Sequence, residues 1–348
     1  MTDRSQAPDA VTRRGAGRST DGLLDAAYAV VVRVLDRPMT WVQRGIGAGR
    51  MPYVFLLPNL LFFGLFVFLP IGIDLWYSVT GGTALFPSQR PFAGTDQYDT
   101  LFACGSYLDP STCREDRFWR AVSNTAVFTG FQMVAMVGSA LVTAVALDKG
   151  VRGQGFFRAV FFFPVLLSPV VVALIWKWIL QRDGLLNAGL TTFGGDKILF
   201  FVEPGWAMFW SVFVSVWAHM GFYTLILLAG LQAIPRDIYE AAEMDGTPRL
   251  RVFTRLTLPL LWPNLLVVLV LVLIRGVQTF DEVFVLTGGG PGTATLMVVQ
   301  YIYETAFANQ VQNFGLAAAA SVVLGVVLFA LTLLQLLLTR RRSSGGRT

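Results

Sequence analysis

Glu240-Ala241-Ala242-Glu243-Met244-Asp245-Gly246, followed ten residues past the glycine by Leu256-Thr257-Leu258-Pro259, is a polar island between two long apolar segments. A mere connection between helices needs only a few residues. The turn signals packed into this one predict helix, glycine turn and helix, which is a surface built to dock something. Proline in Ile234-Pro235-Arg236-Asp237 suits a first helical turn, and Asp237 favours the positive end of the helix dipole. The first helix is expected to run through Glu240, Ala241 and Ala242 to Gly246, whose missing side chain allows the left-handed residue that ends a helix. Thr247 is expected to cap a second helix with Pro248 at its first position. That helix carries Arg249, Arg251 and Arg255 until Pro259 marks entry into the next apolar segment. Paired alanines leave one face shallow enough for close approach by another protein, while Glu240 and Glu243 can reach basic residues. The competing reading is an amphipathic elbow that lies on a membrane with nothing bound.

Composition places the island in its context. Hydrophobic residues make up 54% of the 348, charged residues 14%, and mean hydropathy is +0.59. A soluble domain averages about 25% charged, so much of this surface must face lipid. Crossing a hydrocarbon core of about 30 Å takes about 20 helical residues. Apolar runs that long lie at 54–79, 121–147, 156–180, 207–233, 260–286 and 314–339. The expected fold is therefore an all-α integral membrane protein with six transmembrane helices. A basic segment at 1–52 precedes the six-span domain at 53–339, and a basic tail at 340–348 follows it.

An even number of spans puts both termini on one side, and short loops rich in Arg and Lys stay in the cytoplasm. The two termini, the second-to-third loop and the island hold nineteen such residues, against six in the three opposite loops. Both termini and the island are thus expected to be cytoplasmic. This asymmetry is sufficient reason for the net charge of +5, without nucleic acid.

The two cysteines, Cys104 and Cys113, fall in the first loop on the outer side. An oxidising exterior permits a disulfide there, and two free thiols are the alternative. A metal site is not expected, since the single histidine, His219, lies in the fourth span. Residues 1–22 are polar, and the apolar stretch at 23–35, interrupted by Asp25 and Arg33, is too short to span. It reads either as an interfacial amphipathic helix or as one short helix in a disordered basic tail.

No Gly-x-x-x-x-Gly-Lys-Ser/Thr phosphate loop occurs in the sequence; Gly288-Gly289-Gly290-Pro291-Gly292 has no lysine after it and reads as a turn, as does Gly194-Gly195-Asp196-Lys197. Nor is there a His-Glu-x-x-His or Gly-x-Ser-x-Gly constellation, so no catalytic residue is assigned.

The pattern Glu-Ala-Ala, three residues, Gly, nine residues, aliphatic, one residue, aliphatic-Pro resembles the cytoplasmic signature of the membrane-spanning subunits of ATP-binding-cassette importers. Here it reads Glu240-Ala241-Ala242, Gly246, Leu256, Leu258-Pro259, departing only in leucine at 256 where isoleucine is commonest. The resemblance implies that this loop is a coupling helix seated in a cleft of an ATPase subunit, with Met244 and Asp245 inside it. Leu56-Leu57-Pro58 with Pro70, the run Phe118-Trp119-Arg120-Ala121-Val122-Ser123-Asn124-Thr125, and Phe280-Asp281-Glu282 leading into Leu286-Thr287-Gly288-Gly289-Gly290-Pro291 are similar to the maltose-type and glycerol-phosphate-type permeases. The resemblance covers most of the chain from residue 53 onward. Residues 1–52 lie outside it, and the large exterior domain of the maltose-type subunit has no counterpart here.

A charge inside a span costs about 2.5 to 3.5 kcal/mol at a helix centre and is a functional hypothesis by default. Arg275 lies about 22 Å along a helix from Leu260, in the outer half of the membrane. Arg275, Gln278, Thr279 and Glu282 follow at spacings that make one polar stripe on a helix. Amide, guanidinium and carboxylate match sugar hydroxyls as donors and acceptors. The alternatives are an internal ion pair from Arg275 to Glu282 or Asp281, or a contact with a partner subunit. His219 and Tyr223, with Thr224, are second candidates for a translocation path.

Taken with the resemblance, these residues imply a permease subunit of a binding-protein-dependent importer in a bacterial plasma membrane, carrying a sugar or related polyol. Its implied partners are a second permease subunit, two ATPase subunits that bind ATP and Mg, and an extracytoplasmic substrate-binding protein. A permease for a non-sugar solute such as a glycerophosphodiester, and a stand-alone secondary transporter with ion sites on discontinuous helices, remain the alternatives.

Overall fold

The computed structural model describes residues 51–148 and 153–344, together with Gly47 and Gly49. The segment at 23–35 lies outside them. The chain divides into two compact units, residues 1–71 and 72–348. In chain order the helices are α1 (Met51–Ser78), α2 (Asp96–Phe102), α3 (Asp116–Asp148), α4 (Gln154–Phe162), α5 (Pro169–Ile179), α6 (Leu185–Thr192), α7 (Pro204–Gln232), α8 (Arg236–Met244), α9 (Arg249–Val277), α10 (Asp281–Thr287), α11 (Val298–Tyr303) and α12 (Phe314–Ser344). The β features among the described residues are two isolated bridges, Thr80 to Phe92 and Cys104 to Cys113.

Five helices, α1, α3, α7, α9 and α12, are long and apolar enough to cross a membrane, and the bent pair α4–α5 makes up to six. The run at 156–180 is not one straight span: its two halves meet at 99°. Pro169 is the reason. The residue before a proline is pushed out of the helical region, and Ser168 is extended at φ −61, ψ 136.

The run at 260–286 also departs from expectation. Its helix begins at Arg249, ends at Val277, and restarts as α10 only after Phe280 at φ −148, ψ −66. Arg275, Gln278, Thr279 and Glu282 therefore do not form a stripe on one helix. Asp281 and Glu282 occupy the first turn of α10, where acidic side chains suit the positive end of the dipole; that was the readable sign of a new helix start.

Two of the prolines inside the long helices, Pro70 and Pro259, are accommodated in the same way, whereas Pro58 and Pro263 sit in regular α-helix. A π turn at Gly64–Phe68 comes just before Pro70, and another at Phe253–Thr257 just before Pro259. Proline cannot donate a main-chain hydrogen bond, and its ring clashes with the carbonyl four residues back. A widened turn clears that carbonyl, so α9 passes through Pro259 without ending.

The core of the larger unit is α3, α7 and α9. The C-terminal halves of α3 and α7 run side by side, Met136, Ala140, Ala144 and Leu147 against Tyr223, Leu227, Leu228, Leu231 and Ile234, with Leu261, Leu265, Val268 and Val272 of α9 completing the cluster. Helices in lipid gain little from the hydrophobic effect and associate where small residues let them close up. Gly230 is such a place, since a Cβ there would lie 2.6 Å from Asn264 Cγ. Gly221 lets the α4 end approach in the same way, because a Cβ would strike the Phe161 carbonyl. At the opposite end, Ala319 and Ala320 of α12 pack on Leu101, Phe118 and Tyr301.

Candidate functional site

At one end of the α3–α7–α9 core, the island forms an elbow. Helix α8 starts after Pro235 and stops at a glycine turn in which Gly246 N–H donates to Glu243 O at 3.0 Å and Thr247 N–H to Ala242 O at 3.0 Å. This pair of bonds satisfies carbonyls at the helix end and requires a left-handed residue, which Gly246 supplies at φ +65. Thr247 is not the cap of the following helix. Pro248 holds that position, with no side-chain cap bond, because its extended backbone at ψ 143 already aims the chain into α9.

The inner face of the elbow is anchored. Ala242 is buried, Ile238 and Tyr239 pack on the core, and Tyr239 Oη donates to Thr257 Oγ1 at 3.2 Å. The outer face shows Glu240, Ala241, Glu243 and Asp245, together with Met244 at 90% and Leu250 at 75% exposure. Leu256 is half-buried and Pro259 exposed on the next stretch of helix. Two large apolar side chains among exposed carboxylates make a surface with both contact area and charge. Ile238 and Tyr239, which hold the elbow in place, were readable only as the apolar side of the island helix.

Helix α9 then runs without interruption from Arg249 to Val277, 29 residues, or about 42 Å at 1.5 Å per residue. Its far end carries the polar cluster. Glu282 Oε1 accepts from Ser215 Oγ at 2.9 Å, Thr279 Oγ1 at 3.4 Å and Arg275 Nη2 at 3.5 Å. Arg275 Nη2 also meets His219 Nε2, and His219 Nδ1 pairs with the Ser215 carbonyl at 2.9 Å. A guanidinium can only donate, so Nε2 is the acceptor and the ring proton sits on Nδ1. Gln132 Nε2 donates to Ser215 Oγ at 2.8 Å, tying α3 into the same network.

The break after Val277 brings Arg275, Thr279, Glu282 and His219 together and leaves Gln278 exposed outside the network. Tyr223, one turn beyond His219, is buried in the apolar core, and Thr224 donates to the Met220 carbonyl at 2.8 Å. Glu282, Ser215 and Gln132 are all buried, whereas the Arg275 side chain keeps 33% of its surface open. A buried carboxylate is tolerable because three donors converge on it. Gln132 and Ser215 escaped the sequence reading; a lone amide inside an otherwise apolar run was the signal for the first.

The opposite end of the core carries the loop modules. Cys104 and Cys113 form a disulfide. Arg90 is buried between the Tyr77 and Phe314 rings, 4.7 and 5.9 Å from their centroids, and donates through Nε to Thr80 Oγ1 at 2.8 Å and through Nη1 to Ala84 O at 2.7 Å. Arg117 and Glu304 pair at 2.5 Å, and Asn124 Nδ2 holds the Thr293 and Leu296 carbonyls at 2.6 and 3.1 Å.

Comparison with known proteins agrees with this arrangement. Residues 125–344 match the family model of the binding-protein-dependent transport system inner membrane component. The chain is 33% identical over 291 residues to the probable ABC transporter permease protein YurN of Bacillus subtilis, covering 82% of this chain and 94% of that one. It is 32% identical over 294 residues to the trehalose/maltose transport system permease protein MalF of Thermococcus litoralis, covering 84% and 95%. A crystal structure of a bacterial ABC transporter involved in the import of the acidic polysaccharide alginate superposes with a TM-score of 0.71 at 25% identity, covering 86% of this chain and 98% of that chain. The elbow, the bent and broken spans and these likenesses lead to one assignment: the chain belongs to the inner membrane components of binding-protein-dependent transport systems.

Proposed function

We propose that the chain is one of two transmembrane permease subunits of an ABC importer that carries a sugar or related polyol, with ATP hydrolysed by a separate pair of subunits. The observation that carries this reading is the single helix α9, which begins beside an exposed elbow and ends in a buried polar cluster. The elbow end is cytoplasmic in this reading, in keeping with nineteen basic residues on its side against six opposite. Glu240, Ala241, Ala242, Met244, Asp245 and Gly246 form the surface offered to an ATPase subunit, with Leu256 and Pro259 on the helix behind it. ATP and Mg bind that subunit, and its closure biases a two-state equilibrium of the permease through α9. Arg275, Thr279, Glu282 and His219 then border the solute path, where exchange of their mutual hydrogen bonds for solute hydroxyls compensates each group as it opens. A sugar is favoured because the Thermococcus relative is named for trehalose and maltose and the structural neighbour for a polysaccharide. An extracytoplasmic binding protein delivers the solute, and membrane lipid surrounds the spans.

The test is copurification with the neighbouring subunits, combined with solute uptake. Met244→Asp and Glu240→Lys should lower recovery of the ATPase subunit and uptake together. Normal uptake in both variants would sink the coupling role. Arg275→Ala should instead spare ATPase recovery and reduce uptake, and loss of assembly in that variant would make the cluster a structural pair only.

A further inference from the structure

Helix α10 with the residue before it, the end of α11 with the turn after it, and the start of α12 bring five aromatic rings together. Phe280 and Phe284 stack at 5.1 Å with 18° between their planes, because the restart of the helix at Asp281 sets them one turn apart. Tyr303 lies 5.4 Å from Phe280 and 5.7 Å from Phe284. Phe307 continues 6.1 Å beyond Tyr303, and Phe314 a further 6.0 Å beyond Phe307. The last rung is buried and covered by Arg90, whereas Tyr303 is 38% and Phe307 62% exposed, and Phe280 and Phe284 are half-buried. The middle of the ladder is thus open.

Its border is polar. Gln278, Asp281 and Asn309, each within two residues of a rung, are exposed and make no side-chain hydrogen bond among the described residues. Unpaired amides and a carboxylate are costly against lipid tails, so acyl chains are poor occupants. Aromatic faces with amide and carboxylate edges suit a molecule that is apolar on its faces and hydroxylated around its rim. A pyranose ring is such a molecule: its C–H faces lie against aromatic rings, while its hydroxyls meet donors and acceptors at the edge. An acyclic polyol or a glycerol phosphate has no comparable face.

We propose that Phe280, Phe284, Tyr303 and Phe307 form a stacking subsite for the rings of a cyclic saccharide, next to the Arg275–Glu282 cluster and separate from it. The two sites share α10 and face away from each other: Glu282 points inward to Ser215, and the ladder lies on the side that Val283 and Leu286 do not bury. Phe280, Phe284 and Tyr303 lie mutually 5.1, 5.4 and 5.7 Å apart as a triangle of rings, and Phe307 extends it on the exposed side. This inference rests on the sugar reading above and narrows it to ring-bearing substrates.

The test uses cells carrying the whole importer and labelled maltose, lactose, diacetylchitobiose and glycerol 3-phosphate as probes. Tyr303→Leu and Phe284→Leu keep apolar bulk and remove the ring, and Tyr303→Phe keeps the ring. The Leu variants should lower saccharide uptake about tenfold, chiefly as a raised KM, with Tyr303→Phe near the starting value and the other subunits recovered in full. Unchanged saccharide uptake in the Leu variants overturns the subsite alone. Loss of the second permease from the purified complex also overturns it and makes the ladder a subunit contact. Transport of glycerol 3-phosphate with no saccharide carried, or transport of none of the four, sinks the sugar reading and the subsite with it.

Discussion

Arg275 and Glu282 stand on opposite sides of the break between α9 and α10, and the guanidinium reaches the carboxylate across it at 3.5 Å. The pair therefore holds two helices at a fixed angle. Glu282 is buried and a third of the Arg275 side chain is left uncovered, so the two losses are not equivalent. Breaking a buried pair costs about 3–5 kcal/mol when one charge is left without compensation. Arg275→Met strands the buried carboxylate and should lower the melting temperature of the purified complex more than Glu282→Gln does. The double variant should recover part of the loss. A melting temperature for the double variant equal to the sum of the two single shifts would show that the pair is not coupled.

Gly276, just before the break, has no room for a side chain. A Cβ there would lie 2.7 Å from Gln132 Oε1, 2.8 Å from Thr129 Cγ2 and 3.0 Å from Thr129 Oγ1. Gly276→Ala should destabilise by about 1–3 kcal/mol through overpacking. Thr129→Ser removes the methyl and should relieve part of that cost, which thermal unfolding of the two single variants and the double variant will measure.

Gly246 makes the contrary case, since a Cβ there meets nothing within 4 Å. Its constraint is the left-handed backbone at φ +65, which costs a residue with a side chain about 1–2 kcal/mol. Gly246→Asn should be tolerated best, Gly246→Ala less and Gly246→Val least, in the order of their αL tolerance. On the proposed coupling role, solute uptake should fall in that order while the membrane core melts unchanged. An equal loss in all three variants would mean that occlusion of a docking surface, not backbone strain, is responsible.

Glu115, just before α3, has its carboxyl pushed above the ordinary glutamate range by burial, against the opposing influence of Tyr301 and Arg117. The folded protein then binds this proton more tightly than the unfolded chain does. Stability from this group is present at low pH and declines as pH rises from the ordinary glutamate range to the raised value. Melting temperatures of the wild type and Glu115→Gln, taken from about pH 4 to about pH 8, should converge at the acid end and separate as pH rises, with Glu115→Gln the more stable. Parallel curves would remove the effect.

The long spans were legible because apolar length is a direct measure of membrane thickness, and α3, α7 and α12 lie where hydropathy put them. The glycine turn of the elbow was equally legible, because a left-handed position leaves few choices of residue. The bend at Ser168–Pro169 and the interruption at 278–280 were not, since hydropathy averages across a break that leaves composition unchanged. Thr247 was misread for a local reason: the extended Pro248 took over the start of the next helix.

What the sequence determined by itself was therefore a multi-span membrane chain with a helix–glycine turn–helix elbow, both properties set by short-range rules of apolar length and turn chemistry. Only the tertiary structure decided that Gln132, Ser215, His219, Arg275 and Glu282 meet. They come from four helices, α3, α7, α9 and α10, and their contact depends on where α9 stops and on how closely Gly276 lets α3 approach. No periodicity in the chain encodes that distance; packing does.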